Sequence, residues 1–145
     1  MSVVLDSVNE GWAWTGIRFV EIHAQSVMGH LMLSDEEGCY YYLDTDGMRM
    51  EPLGNLDAAK AHFAREETRE IWEARGLIDP ARERLGDPPE GSVFTLNPRD
   101  WITGDYKHEN MCHLPLQEIV FLSGDLARQI KDLPDGQEIQ IRIVD

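Results

Sequence analysis

The residues with the most evident chemical potential lie close together near position 110: His108, Cys112 and His113. Imidazoles and thiolates bind zinc, and a cysteine beside a histidine could act as a nucleophile activated by a base. The spacing H-x3-C-H is not a standard zinc pattern, however, and neither C-x2-C nor H-E-x-x-H occurs in the chain. We therefore predict no metal site from this group. An enzyme that uses Cys112 with His108 or His113 remains a hypothesis, ranked below the two binding functions considered at the end of this section.

The other sequence patterns of catalysis and cofactor binding are missing as well. The chain has no phosphate-binding G-x-x-x-x-G-K, no dinucleotide-binding G-x-G-x-x-G and no nucleophile-elbow G-x-S-x-G. His23 and His30 fall in predicted strands, where a structural imidazole with satisfied hydrogen bonds is the expectation. The sequence therefore predicts a protein that is not an enzyme, with no catalytic residue, cofactor or metal.

Carboxylates are the remaining group that could make a functional surface. Asp35, Glu36 and Glu37 occupy one predicted hairpin turn, and Asp44 and Asp46 lie at the next turn along the chain. They could bind a hard cation, although the spacing of an EF-hand is absent; they could imitate phosphates toward a basic protein; or they could keep the ends of the sheet soluble. We take these five as the candidate partner-binding surface. Successive hairpin turns lie at opposite ends of a sheet, so the two groups need not form one patch.

The charge of the whole chain narrows the choice of partner. It has 27 acidic and 13 basic side chains, a formal net charge of -14. Nucleic acid and anionic membranes both require basic surface on the protein, so neither is an expected partner. A basic protein attracted by electrostatic steering fits this charge. An acidic protein with no such partner fits it equally, because net charge also favours solubility.

The length of 145 residues predicts a single domain over residues 1–145 that can bury a sizeable core. Two cysteines, Cys39 and Cys112, do not suggest a disulfide framework. Residues 1–10 lack the basic and apolar regions of a signal peptide, and no apolar run approaches the ~20 residues needed to span a bilayer. We therefore expect a cytoplasmic location.

Alternating apolar residues and turn signals predict four consecutive strands in the N-terminal half. The predicted strands cover residues 17–24, 27–33, 39–44 and 48–51. Short connections favour an antiparallel meander, and Asp46-Gly47 suggests a two-residue type I′ turn before the fourth strand. Residues 1–5 are predicted to form an edge strand or a short helix. Trp12 and Trp14 are predicted to be lids over the core, with a partner contact as the alternative.

Helical spacing dominates the rest of the chain. Asn55 is a plausible N-cap for a helix that reaches Gly76, and Pro80 begins a short helix that Gly86 closes. A short strand is predicted over residues 93–96. Gly124 interrupts the C-terminal helix at a cost of about 1 kcal/mol relative to Ala, so a kink or a new start at Ser123 is possible.

The C-terminal region is predicted to be a helix from Pro115 to Ile130, a turn over residues 133–136 and a strand over residues 139–144. That strand is expected to join the main sheet or to pair with residues 93–96. The predicted fold class is therefore α+β, an antiparallel β-meander of four or more strands with helices packed on one face and a C-terminal helix-turn-strand.

Several segments together carry a family resemblance. They are GWAWTG at 11–16, VEI at 20–22, MGHL at 28–31, GDY at 104–106 and, the most specific, SGDLARQIKDLPDG at 123–136. This pattern resembles the C-terminal domain family of type VI secretion DNase-immunity proteins, a bacterial domain of otherwise unassigned function. The resemblance extends from about Gly11 to the C-terminus.

The resemblance implies a cytoplasmic immunity protein that binds and silences a toxin, and it implies no catalytic residues. If the toxin is a nuclease, it must present basic surface to DNA, and an acidic partner could cover that surface. The alternative is an orphan regulatory or scaffold domain that binds another protein and has no toxin partner.

Overall fold

A four-stranded antiparallel sheet forms the first half of the fold in the computed structural model, which describes residues 2–131. The strands are Phe19–Gln25 (β1), Leu31–Asp35 (β2), Tyr40–Asp44 (β3) and Arg49–Gly54 (β4). They lie side by side in the order of the chain. The predicted α+β class and the four-stranded meander are therefore confirmed.

Helices account for much of the remaining described chain. They are Val3–Gly11 (α1), Leu56–Phe63 (α2), Glu66–Glu73 (α3), Arg75–Leu85 (α4) and Leu116–Ile130 (α5). The N-terminus therefore adopts the helical one of its two predicted alternatives. Asn55 is the N-cap of α2, as predicted, and its side chain accepts a hydrogen bond from the Ala58 backbone N–H at 3.0 Å. The long helix predicted up to Gly76 is instead divided, because the backbone is extended at Arg65 and left-handed at Ala74.

A second, two-stranded sheet pairs Ser92–Leu96 (β5) with Met111–Pro115 (β6) in antiparallel register. The strand predicted over residues 93–96 is therefore confirmed. Its partner β6 was not predicted, because its sequence has neither clear alternation nor turn signals around it. The predicted turn at 133–136 and the predicted strand at 139–144 lie outside the described residues.

Helices α1 and α5 cross where each has a glycine. A Cβ atom on Gly11 would lie 2.6 Å from the Phe121 carbonyl oxygen, and one on Gly124 would overlap the Gly11 carbonyl. The two backbones can approach this closely only because neither residue has a side chain. Helix α5 is continuous through Gly124, so no new helix starts at Ser123, whose hydroxyl donates to the Val120 carbonyl at 2.9 Å.

The two tryptophans that follow α1 pack against this crossing. Trp12 is 2% exposed and belongs to the core, which confirms the predicted lid. Trp14 is 38% exposed, and its indole N–H donates to the Gly124 carbonyl at 3.0 Å. Both rings therefore fix the position of α5 against the N-terminal segment.

The hairpin between β3 and β4 has a loop of four residues, which corrects the predicted two-residue type I′ turn. Asp44 pairs with Arg49, so residues 45–48 form the loop. The Asp44 side chain organises it by accepting a hydrogen bond from the Gly47 backbone N–H at 2.9 Å. As a result Asp46 is turned inward and is 4% exposed.

Helices contact both faces of the main sheet, which corrects the prediction that they pack on one face. Leu31, Leu33 and Leu43 belong to the core cluster together with residues of α1 and α5. Side chains alternate between the faces of a strand, so Tyr42 lies on the opposite face from Leu43. There the Tyr42 ring packs against Phe63 of α2 and Trp72 of α3. Helices α2 and α3 therefore lie against the face of the sheet that carries Tyr42.

Candidate functional site

Three polar side chains meet at one end of the main sheet, and we call them the His–Asp cluster: His30, Asp44 and Asp46. His30 immediately precedes β2, Asp44 is the last residue of β3, and Asp46 belongs to the loop that follows. The antiparallel register pairs the residue after His30 with the residue before Asp44, so these two lie side by side. The Ser26 hydroxyl accepts a hydrogen bond from the His30 backbone N–H at 3.0 Å and fixes the approach to β2.

The imidazole of His30 is held at both nitrogen atoms. Its Nε2 is hydrogen-bonded to Asp46 Oδ1 and lies 3.3 Å from Asp44 Oδ1. Its Nδ1 lies 2.7 Å from the Tyr42 hydroxyl, which also accepts a hydrogen bond from the Trp72 indole N–H at 2.8 Å. His30 is 4% exposed, so these partners supply the hydrogen bonds that a buried imidazole requires.

The two carboxylates of the cluster have further partners. Asp46 Oδ2 accepts a hydrogen bond from the Tyr106 hydroxyl, which reaches across from the segment before β6. Asp44 Oδ2 lies 3.2 Å from an Arg49 guanidinium nitrogen at the start of β4. Elements that are distant in sequence therefore converge on this one point.

Charge pairing sets the protonation of the cluster. Burial disfavours the charged imidazole, but the hydrogen bond to Asp46 and the charges of Asp46 and Asp44 together outweigh it and raise the pKa of His30. Burial also disfavours ionised Asp46, yet the hydrogen bond and charge of His30, with the Tyr106 hydrogen bond, lower the pKa of this carboxyl. The pair is therefore ionic below the pKa of His30.

The two tyrosines of the network stay protonated at neutral pH. Burial is the main cause that raises the pKa of Tyr42, and the charges of Asp44 and Asp46 add to it. Burial and the hydrogen bond to Asp46 raise the pKa of Tyr106. Both hydroxyls therefore act as neutral hydrogen-bonding groups rather than as acids.

The His–Asp cluster lies at the bottom of a cleft of about 560 Å³, which we call the acidic cleft. Helix α3 contributes Glu67 and Glu70, both exposed, to its wall. Ile71, 54% exposed, and Tyr106, 46% exposed, add apolar and aromatic surface. None of the described residues that line this cleft is a lysine or an arginine. The cleft therefore combines negative charge with exposed apolar area.

A smaller cleft of about 240 Å³ shares His30, Asp44, Glu67 and Ile71 with the acidic cleft, and it also has basic residues on its wall. Arg65 lies here, 2.7 Å from Glu67 Oε2, and so does Arg49. Both arginine side chains are more than half exposed, and exposed ion pairs contribute about 0–1 kcal/mol. Two of the four carboxylates that line the acidic cleft, Asp44 and Glu67, therefore have an arginine partner, and these exposed pairs are weak enough to exchange for a cation of a partner protein.

The five acidic residues of the predicted partner surface lie in two separate places. Asp44 and Asp46 are in the His–Asp cluster, whereas Asp35, Glu36 and Glu37 lie at the opposite end of the sheet. Glu36 and Glu37 are exposed. Asp35 is buried and stabilises its own turn, because its Oδ1 accepts hydrogen bonds from the Glu37 and Cys39 backbone N–H groups at 2.9 Å. The sheet thus has two acidic ends, and only one of them lines a cleft with the histidine.

Asp35 is ionised over most of the pH range. Burial raises its pKa, but the hydrogen bonds from the Cys39 backbone, the Tyr41 hydroxyl and the Glu37 backbone outweigh burial and lower the pKa overall. Burial and the hydrogen bond to Asp35 raise the pKa of Tyr41 to about 12. The Asp35 side chain is therefore part of the structure of the turn.

The predicted group around position 110 is spread over different contacts. His108 lies 3.0 Å from Glu109, and His113 Nε2 lies 3.1 Å from the Gly86 carbonyl while its ring packs on Phe94. Burial raises the pKa of the Cys112 thiol, although nearby arginines oppose this. A thiol with a raised pKa is a poor nucleophile at neutral pH. The geometry therefore lends the enzyme hypothesis no support.

Sequence reasoning named every member of the His–Asp cluster but did not bring them together. The sequence predicts a structural role for His30 and a place on the partner-binding surface for the two aspartates. The available signal is the D-x-D pattern at the end of one strand, with a histidine directly before the neighbouring strand of the meander. Using it required the register of β2 against β3, which periodicity alone does not fix.

Comparison of the chain with protein-family models, with curated proteins and with solved structures finds no match. Within residues 2–131, no helix is both long enough and apolar enough to cross a membrane. The described residues form an α+β fold that places a buried His–Asp cluster beneath an acidic cleft.

Proposed function

We propose that this chain is a non-catalytic immunity protein of the antitoxin type, which binds a basic toxin and neutralises it. The observation that carries the proposal is the acidic cleft, with carboxylates and exposed apolar residues on its wall and no lysine or arginine among its described lining residues. The formal net charge of -14 and the sequence resemblance to DNase-immunity proteins support the same function.

The chemistry of the cleft fits a protruding arginine or lysine of a partner. Glu67 and Glu70 offer exposed carboxylates, and an arginine can bind a carboxylate through two parallel hydrogen bonds. The Tyr106 hydroxyl is engaged by Asp46, which leaves the ring as a surface for cation–π contact. Exposed Ile71 adds the apolar area that interface centres require. A basic segment of a nuclease, held in this way, would be prevented from reaching DNA.

Co-expression is the first test. The open reading frame next to the gene is expressed alone and together with this chain. We expect toxicity from the neighbour alone, rescue by this chain, and co-purification of the two proteins. If no neighbouring gene product is toxic, or if toxicity persists when this chain is present, the proposal is wrong.

A charge-neutralising double variant locates the interface. Glu67→Gln with Glu70→Gln removes two carboxylates from the cleft wall, and Glu83→Gln with Glu90→Gln removes two exposed carboxylates elsewhere. We expect the first pair to lower toxin affinity by about 10-fold or more, chiefly through charge pairs lost at the cleft. The control pair should change it by less than about 3-fold, in line with the small effect of a remote charge on association. Equal losses would indicate general steering without docking in the cleft.

The alternative function is a regulatory or scaffold domain without a toxin partner. The two differ in their response to salt. A steered acidic inhibitor should associate more slowly as NaCl rises from 0.05 M to 0.5 M, because the Debye length falls from roughly 14 Å to roughly 4 Å over that range. An interaction with a non-toxic protein whose association rate does not respond to salt would favour the alternative.

A further inference from the structure

We propose that His30, Asp44 and Asp46 form a binding site for a divalent transition-metal ion of the zinc class at the bottom of the acidic cleft. This goes beyond the proposed function, since it needs no toxin. Each residue offers one ligand atom, and the three atoms lie within 4.8 Å of one another. Among the described residues, this is the group of histidine, cysteine and carboxylate side chains close enough to share one ion.

The spacing of the ligand atoms suits a small ion. Zinc binds histidine nitrogen and carboxylate oxygen at about 2.0–2.2 Å in tetrahedral geometry, so two of its ligands lie roughly 3.3–3.5 Å apart. His30 Nε2 and Asp44 Oδ1 are 3.3 Å apart. Asp46 Oδ1 is hydrogen-bonded to the same nitrogen. An ion that enters displaces the proton shared by His30 and Asp46, which is released to solvent, and the Asp46 carboxylate must move away from the imidazole until the two ligand atoms are roughly 3.3–3.5 Å apart.

The groups behind the ligands hold the imidazole in the orientation that a metal site needs. A histidine that binds metal through one nitrogen almost always donates its other N–H to a neighbouring acceptor. Here His30 Nδ1 lies 2.7 Å from the Tyr42 hydroxyl oxygen, which the Trp72 indole N–H fixes from α3. The Tyr106 hydroxyl holds the second oxygen of Asp46 in the same manner. The site is therefore organised beyond its three ligands.

The donor set selects the class of metal. One imidazole with two carboxylates gives a nitrogen and two oxygens and supplies two negative charges. Calcium and magnesium prefer sites made of oxygen ligands alone, so the imidazole nitrogen of His30 disfavours both ions. Imidazole suits zinc and its neighbours in the first transition row, and zinc sites with three protein ligands keep one position for water. The acidic cleft provides solvent access to that position.

The buried ion pair of His30 with Asp46 is the competing explanation, because it satisfies the same groups without any metal. Titration of ZnCl2 into the full chain separates the metal site from a plain ion pair. The affinity tag is removed first, and EDTA is used to strip bound metal and is then removed. We expect one saturable ion per chain by isothermal titration calorimetry. With Co2+ as a second probe, we expect visible absorption bands of a four- or five-coordinate site.

Two variants and one control decide whether the binding is at this site. His30→Gln removes the nitrogen ligand. Asp44→Asn is the milder change, because Asp44 is half-buried and an asparagine oxygen still accepts from the Gly47 N–H. Each should weaken Zn2+ binding by more than about 10-fold. His108→Gln changes a half-exposed imidazole that is not one of the three proposed ligands. It should therefore leave the affinity of the cluster for Zn2+ within about 2-fold of the wild type.

Circular dichroism of each variant establishes that it is folded. If His30→Gln does not fold, Asp44→Asn remains decisive. The proposal is overturned if the wild-type chain shows no saturable binding up to millimolar Zn2+. It is also overturned if a folded cluster variant binds as the wild type does. Toxin neutralisation is measured in EDTA and does not depend on the zinc titrations of the wild type or the variants. Failure of the metal site and failure of the proposed function are therefore distinguishable.

Discussion

Asp46 shows how a charged side chain can be buried at small cost. It is 4% exposed, and an isolated carboxylate at such a position would be strongly destabilising. The His30 imidazole and the Tyr106 hydroxyl each bind one of its oxygens. A buried pair of this kind contributes little net stability compared with apolar residues, but removal of one partner leaves the other charge unpaired. The loop, strand and cleft wall are therefore coupled through one carboxylate.

The pH dependence of stability should report this pair. The pKa of His30 is raised on folding, so its contribution is fully present below about 6.5, the ordinary pKa of histidine, and is lost as pH rises through the folded pKa. The pKa of Asp46 is lowered, so its contribution is present above about 3.9 and is lost as pH falls through the folded pKa. Urea unfolding in EDTA should therefore show free energy declining above pH 6.5. In the double variant His30→Gln with Asp46→Asn, which removes both members of the pair, this decline should be absent, and an unchanged decline would contradict the assignment.

Tyr106→Phe tests the other contact of Asp46. The variant keeps the ring but removes the hydroxyl that donates to Asp46 Oδ2. Since Tyr106 is 46% exposed, water can replace part of this bond, and we expect a loss of about 1 kcal/mol in unfolding free energy rather than the larger values of buried charged hydrogen bonds. Tyr40→Phe is the matched control, because among the described contacts the Tyr40 hydroxyl has no hydrogen bond. An equal loss in both variants would show that the Asp46 contact is not the cause.

At the scale of elements, the crossing of α1 and α5 depends on residues whose role the sequence does not reveal. Gly124 lowers the helix propensity of α5, so the sequence predicts a kink or a new helix start at Ser123. In the structure it is the place where the Gly11 carbonyl meets the helix. The cost in propensity is offset by close packing, with Val8, Leu126 and Trp12 buried around the crossing.

Gly124→Ala should destabilise the protein even though alanine favours helices. The added Cβ overlaps the Gly11 carbonyl, so α1 must move away. Overpacking of this kind costs about 1–3 kcal/mol, and the gain in helix propensity returns about 1 kcal/mol. We expect a net loss of up to about 2 kcal/mol in the free energy of urea unfolding. Gly76→Ala in α4 is the control: a Cβ there meets nothing within 4 Å, so it should be neutral or stabilising by up to ~1 kcal/mol.

Local signals account for the elements that were predicted, and non-local contacts account for those that were missed. Alternation and turn residues sufficed for β1 to β4, and the Asn55 cap sufficed for the start of α2. Strand β6 lacked such a signal and is defined by its pairing with β5. The His–Asp cluster depends on the strand register and on a loop that turns Asp46 inward. A local sequence pattern fixes neither of these, so the convergence of the three side chains could not be predicted.

At the scale of the whole molecule, the formal net charge of -14 is a source of self-repulsion. Many of the ion pairs on this surface, such as Arg65 with Glu67 and Arg82 with Asp87, involve exposed side chains. Exposed pairs contribute about 0–1 kcal/mol each and are screened by salt. Excess carboxylates repel one another throughout the structure, so repulsion should exceed these local attractions. The same charge that suits a basic partner is therefore expected to lower the stability of the free protein.

Salt should therefore stabilise the free chain. Raising NaCl from 0.01 M to 0.15 M shortens the Debye length from about 30 Å to about 8 Å and screens the long-range repulsion. We expect a Tm increase of roughly 2–4 °C, which corresponds to about 1 kcal/mol for a domain of this size. Differential scanning calorimetry in EDTA measures it. Glu83→Gln with Glu90→Gln, two exposed sites outside the acidic cleft, should have a higher Tm at low salt and a smaller response to salt, because fewer carboxylates remain to be screened. A Tm that falls with salt in both proteins would mean that the exposed ion pairs outweigh the repulsion.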